Sequence, residues 1–343
     1  MNRAGLTRKL LSALIALLVL AALLSDFLSS NPPGAQNLQA FYAPPTRIHF
    51  VDAQGRFHFQ PFVYGYTLAD PLSATYREQA DRPYPLKFFG GGYRYRLLGT
   101  IPSSIHLATA PGTAFYLLGA DELGRDVLAR TLAGARTSLM IVLSGICLYT
   151  ILGLAFGAFA GLAGGWLDAA LMRVSEFVLA IPALYLILAL RALLPARMSF
   201  GQTVLIVSGT IAAVAWPPLA RAVRGQIFQF RSAGFVEAAV SFGCTRWQVF
   251  SRHMLPALPA LVITQAVLAA PVFLLGEVIL SYLDVGFQDS AESWGTMLRS
   301  LSDPRVMTDF WWNLAPLALV FLTLLSMNLM AGSLGRKEIT HPY

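Results

Sequence analysis

Charge is scarce in this chain: Asp, Glu, Lys and Arg make up 13% of its 343 residues, against roughly 25% in a soluble globular domain. Water is therefore not its main solvent. Cysteine is scarcer still. Cys147 lies inside an apolar run and Cys244 in a basic stretch, which excludes a disulfide framework and a zinc spacing. The five histidines, His49, His58, His106, His253 and His341, form no HxxxH or HExxH pair, so a local metal centre has no ligand set to stand on. No GxxxxGK[ST] loop occurs, and this chain cannot itself be a P-loop ATPase. Internal repeats, low-complexity tracts and recognised Ser, His or Asp catalytic motifs are also missing, which leaves a membrane enzyme without a constellation to act through.

What the chain has instead is apolar length: 56% of it is hydrophobic and its mean hydropathy is +0.58. A helix crossing the hydrocarbon core needs about 20 largely apolar residues, because lipid offers no partner for an open backbone group. Five long stretches, 137–167, 169–194, 198–220, 253–283 and 310–335, meet that demand, and a shorter one, 10–28, precedes them. The sequence thus predicts an all-α integral membrane protein with about six transmembrane helices. The first stretch follows Arg3, Arg8 and Lys9 as a signal peptide would, yet no small-x-small site precedes Asp26, which favours an uncleaved anchor.

The net charge of +7 would suggest nucleic acid if the basic residues formed one stripe, but they lie between the apolar runs. Six spans put both termini on one side, together with Arg221, Arg224, Arg231, Arg246 and Arg252, and the positive-inside rule makes that side cytoplasmic. Residues 1–28 then form the cytoplasmic N-terminus and first span, 29–118 an external insertion, and 119–343 the core, with a cytoplasmic loop at 221–252. The insertion is rich in Pro, Gly, Tyr and Phe. Residues 47–51 and 56–60 alternate in polarity around Asp52-Ala53-Gln54-Gly55, a hairpin signal. The alternating His and Phe there read as a two-faced strand rather than a ligand site.

The cytoplasmic loop has structure of its own. Glu237-Ala238-Ala239-Val240-Ser241-Phe242-Gly243 reads as a short helix with a glycine stop, and Leu255-Pro256 as a second helix entering the membrane. Phe235, Val236, Ala239 and Phe242 fall at helical spacing, predicting one apolar ridge that faces the bundle end or a partner. Here the chain resembles the inner-membrane permease subunits of ABC importers, whose loop carries Glu-Ala-Ala, three residues, Gly, nine residues, Ile, one residue, Leu-Pro. Glu237, Ala238, Ala239, Gly243, Leu255 and Pro256 match with that spacing intact, and His253 stands at the Ile position.

Further motifs resemble the oligopeptide/dipeptide/nickel group of these permeases, and the subunit of its heterodimer built on a core without the long loop. They are Leu118-Gly119-Ala120-Asp121 with Gly124-Arg125-Asp126, Arg130, Gly134-Ala135-Arg136 and Ser138-Leu139 before the second span; Asp168, Met172-Arg173, Glu176 and Pro182 in the third; and Glu277, Leu280-Ser281, Leu283, Gly286 and Ser293-Trp294-Gly295 in and after the fifth. The resemblance covers 118–334, while residues 29–117 match no pattern of the group.

It implies the type I ABC importer permease fold and a machine of two permeases, two ATPase subunits binding ATP and Mg, and an external substrate-binding protein. This chain would supply half the path, carry no cofactor and work in the bacterial inner membrane on peptides or similar solutes. ATP-driven closure of the ATPase pair would push the 237–243 helix and alternate access at the midplane. A secondary transporter or channel subunit without an ATPase partner is the alternative. It would need its own ion site, for which Glu176 and Glu277 are the candidates within the spans. Glu176 has Arg173 three residues away, favouring an ion pair; Glu277 has no local cation and is read equally as a path-lining residue or an interhelical contact. Pro182 is expected to kink span three.

Overall fold

The computed structural model describes residues 3–192, 198–285, 287 and 291–340. Arg197, Gly286 and His341, and the end of the predicted third span at Leu194, lie outside the described residues.

Helices dominate the apolar sequence. Among the described residues, three are long and apolar enough to cross a membrane alone: α3 (Val127–Ala163), α10 (Pro259–Tyr282) and the segment Trp311–Gly332, which includes most of α13 (Ala315–Thr340). Two bent pairs qualify together. One is α4 (Gly165–Ala180) with α5 (Ala183–Ala192), bent by 95°; the other is α6 (Phe200–Ala215) with α7 (Pro217–Arg231), bent by 52°. A shorter apolar stretch, Lys9–Leu23, belongs to α1 (Arg3–Leu23), which a single residue separates from α2 (Ser25–Leu28).

Helix ends follow local chemistry more closely than hydropathy does. Helix α3 begins ten residues before the predicted span because the Asp126 carboxylate accepts from the N–H groups of Leu128 (2.9 Å) and Ala129 (3.2 Å), closing the helix start. It ends at Gly164 and Gly165, whose φ of 65° and 58° need residues without a Cβ, rather than at residue 167. Pro182 breaks span three instead of kinking it, since the ring removes a donor and clashes with the preceding turn. Likewise Pro217 and Pro218 turn span four, and α7 then stays helical to Arg231, so the first third of the predicted loop 221–252 is helix.

The chain forms two compact units. One comprises residues 13–139 and 281–323. It holds an antiparallel sheet of β1 (Ile48–Val51), β2 (Phe57–Asp70) and β3 (Thr75–Pro85), and a hairpin of β4 (Lys87–Leu97) and β5 (Ile101–Thr109). The predicted hairpin forms with Val51 opposite Phe57. The Asp52 carboxylate accepts from Gln54 N (3.0 Å) and Arg56 N (2.8 Å), while Gly55 takes φ 81°. Strand β2 runs on well past residue 60 and recruits β3, whose charges and prolines hid it from the sequence reading. Side chains of Val63, Leu86, Ala110 and Phe115 form one small core, and Val127, Met297 and Trp312 another. Buried polar ties join distant segments: Arg130 pairs with Asp121 and with Glu292 (2.7 Å), and Trp294 Nε1 donates to Thr131 O (3.0 Å).

The other unit comprises 1–12, 140–280 and 324–343. In it α3 packs closely on α7. Gly153, Gly157 and Gly161 recur every fourth residue, putting one bare stripe on α3. A Cβ at 157 would sit 2.5 Å from Ala220 O, and one at 161 would sit 2.9 Å from Ile227 Cβ. Glycine is what lets the two backbones approach so closely. Polar ties hold α7 on both sides: Arg231 Nη1 donates to Gly161 O (3.2 Å) on α3, while Arg224 forms a bidentate ion pair with Asp168 and Arg221 Nε donates to Ser175 Oγ (3.2 Å) on α4.

Candidate coupling segment and membrane path

Between α7 and α10 the chain makes α8 (Gly234–Ser241) and α9 (Arg246–Val249), then a wide turn at Phe250–Met254 and a tight one at Leu255–Ala257. Glu237 stands in the first turn of α8, where the helix dipole favours a carboxylate. The helix ends in a Schellman motif: Cys244 N donates to Ala239 O (3.1 Å) and Gly243 N to Val240 O (2.9 Å). Gly243 takes φ 81° and has open space where a Cβ would be. Thr245 then starts α9 with a reciprocal cap to Gln248. Pro256 lies in the tight turn, and the α-helix proper starts three residues later at Pro259, so the proline that opens α10 is not the one the motif indicated.

The single apolar ridge expected on α8 is two faces. Val236 and Ala239 are buried, whereas Phe235 is 44% and Phe242 88% exposed, because Phe242 sits past the last helical residue and leaves the helix face. With Val240 and Trp247 also exposed, this segment presents an apolar surface of its own. Glu237, Ala238, Leu255 and Pro256 are exposed as well.

Glu176 and Arg173 form an exposed ion pair on α4 (2.9 Å). Glu277 is fully buried in α10. None of the three lines the cavity of about 410 Å³ within this unit. That cavity is walled by Tyr149, Ile181, Pro182, Pro218, Gln265 and Val272 among others. Both helix breaks therefore face it, at Pro182 and at Pro218, with Tyr149 and Gln265 the polar groups of a mostly apolar wall. The sequence reading looked for charge in the spans and missed this cavity. Its signal was present in the paired helix breakers.

Residues 153–338 match the family described as binding-protein-dependent transport system inner membrane component. The chain belongs to this family. It is 34% identical over 220 residues to the oligopeptide transport system permease protein OppC of Haemophilus influenzae, covering 64% of this chain and 68% of that one. It is 32% identical over 225 residues to the dipeptide transport system permease protein DppC of Bacillus subtilis (65% and 68%). It is also 32% identical over 245 residues to the probable D,D-dipeptide transport system permease protein DdpC of Escherichia coli (70% and 78%). As a member of the family, the chain is a multi-pass inner-membrane permease subunit of an ABC importer. It is a transport component and not an enzyme, since ATP hydrolysis belongs to a separate subunit. The match begins inside α3, so the β-strands lie outside it.

Proposed function

We propose that this subunit forms half of the translocation path of an importer for peptides or solutes of similar size. It pairs with a second, related permease, with two ATP-binding subunits that hold ATP and Mg, and with an external binding protein; the chain itself carries no cofactor. Six spans, counting each bent pair once and α1 as the first, place both termini and residues 221–252 in the cytoplasm and residues 29–118 outside. Residues 1–28, 29–118 and 119–343 are then the anchor, the external insertion and the permease core. The names of the three relatives support the peptide reading.

One observation carries the coupling role: Val240 on α8, Phe242 just past its end and Trp247 on α9 are exposed on the segment joining two spans, with Gly243 stopping α8 between them. Exposed aromatics clustered on a short connector mark a protein-binding surface. Glu237, Ala238, Ala239, Gly243, Leu255 and Pro256 build that element. The cavity at the two helix breaks is the path's wall in this half, with Glu277, Glu176 and Arg173 as polar contacts between or beside helices.

The test is copurification with a P-loop ATPase together with uptake of a labelled peptide into energised vesicles. Uptake should stop when ATP is depleted at constant ion gradients. Uptake that continues on the ion gradient alone would make the chain a secondary transporter and overturn the proposal.

A further inference from the structure

We propose that the tip of the β4–β5 hairpin dips into the outer leaflet, so that this hairpin docks on lipid beside the first span. The hairpin is strapped to α2 and to Ser30 just after it, a single residue beyond the apolar helix α1. His106 is fully buried, with its ring nitrogens 2.8 Å from Asp26 O and 3.0 Å from Tyr93 O. Ser30 Oγ donates to Ala108 O (2.6 Å).

These ties fix the direction of the hairpin. Asp26 meets His106 and Ser30 meets Ala108, so residue numbers rise the same way along both segments. Residues before His106 on β5 therefore lie on the side from which α1 arrives. Ile101 is five residues before His106, about 17 Å along an extended strand. Arg136, in the first part of α3, donates to Asp26 Oδ2 (3.1 Å), which ties the start of that helix to the same level. The tip lies beyond that level, in the direction of the apolar segment.

Its chemistry fits lipid and not water. Leu98 (56% exposed), Ile101 (57%) and Ile105 (50%) stand half open. Leu98 and Gly99 are the central residues of the turn, with φ of 52° and 75°. That geometry favours Asn-Gly, and leucine pays a conformational penalty there. Neither the turn nor contact with water selects leucine, whereas the hydrocarbon boundary does. Arg94 and Arg96 on β4 have stems long enough to reach headgroups, and Tyr93 and Tyr95 are of the type enriched at that boundary. The surface also continues the open apolar side of α1, where Leu17, Leu20 and Leu23 are exposed.

The test uses the full chain in nanodiscs with Cys147 and Cys244 replaced by alanine and a nitroxide attached to Leu98→Cys, Ile101→Cys or, as control, Leu72→Cys. Leu72 lies in the β2–β3 turn and is 93% exposed. All three sites are exposed, so the variants should fold. At 98 and 101, collisions with oxygen should exceed those with a water-soluble nickel chelate several-fold, and at 72 the order should reverse. Nickel-chelate access at 98 and 101 equal to that at 72 would overturn the proposal, as would low access to both reagents, which means a protein cover. The choice of leaflet rests on the external placement of 29–118. In oriented vesicles, reduction of the Leu72 label only from the cytoplasmic face would overturn that placement and the leaflet together, while the oxygen-to-nickel ratio reports lipid contact separately.

Discussion

Gly243 separates a backbone role from a packing role, because it is left-handed and yet surrounded by open space. Any loss on substitution there comes from φ 81° and not from a clash. Alanine in that region costs about 1 kcal/mol, and a β-branched residue about 2 kcal/mol. Asparagine visits the region readily and should cost little. The strain falls on the Schellman bonds from Cys244 and Gly243 that hold the end of α8. If docking needs the closed cap, about 2 kcal/mol against it lowers the competent population, and hence apparent ATPase affinity, by about 30-fold. The assay is ATPase copurification and substrate-stimulated hydrolysis for Gly243→Asn, Gly243→Ala and Gly243→Val, with membrane insertion measured in parallel. Coupling should fall in the order Asn, Ala, Val while insertion stays normal. Equal coupling in all three would refute the role of the left-handed cap, and failure of the valine variant to insert would show that the glycine serves folding instead.

Three further outcomes are expected. Gly157→Leu should destabilise the detergent-solubilised subunit by about 1–3 kcal/mol or more, since the new Cβ meets Ala220 O at 2.5 Å; Gly209→Ala, whose nearest neighbour would be 3.8 Å away, should be neutral or stabilising in the same thermal assay. A double-mutant cycle on Asp168→Asn and Arg224→Gln should give a coupling of about 1–3 kcal/mol, below the full value for a buried pair because the Arg224 side chain is 31% exposed. Burial pushes the Asp126 carboxyl up to about 6 from 3.8. The folded chain then binds that proton more tightly than the unfolded chain, so this group costs stability above pH 6, by about 3 kcal/mol at most, and the cost is relieved as pH falls through 6 toward 4. Thermal melts of wild type and Asp126→Asn should differ in pH slope within that window, with the variant flatter.

What the sequence made legible was local. Hydrophobic length located the apolar helices, because backbone pairing in lipid leaves no other solution, but not their ends: α3 starts ten residues before its predicted span and α7 runs on to Arg231 past a predicted end at 220. The α8 helix and its glycine stop were readable from a handful of neighbouring residues, as was the turn at Asp52 and Gly55. What escaped depended on partners far away in sequence. Asp168 and Arg224 are 56 residues apart, and Arg130 and Glu292 are 162 apart; before folding, Asp168 and Arg130 looked like motif residues, Arg224 looked like a topology charge, and Glu292 carried no signal. Strand β3 escaped for another reason. Its Arg, Glu, Asp and Pro residues carry no strand propensity, and the strand forms because β2 offers it an edge. The glycine stripe on α3 was visible as GxxxGxxxG, a pattern with a physical meaning in membranes that hydropathy alone does not report.

The ties around α7 bear on how the proposed coupling segment would act on the proposed path. This helix starts at Pro217, where Pro218 walls the cavity, and ends at Arg231, with two residues between it and α8. Fifteen residues of helix are about 22 Å long. Along that length Arg221, Arg224 and Arg231 hold it to Ser175, Asp168 and Gly161, and the bare stripe of α3 lies against it. Its partner α4 ends at the other break, beside Ile181 and Pro182 on the same cavity. A helix pinned at three points moves with its neighbours rather than bending between them, so displacement at α8 is felt where the pinned group ends. It ends at the two proline breaks. There a span already lacks continuous backbone bonding, and a change of angle disturbs fewer hydrogen bonds than it would in an unbroken helix.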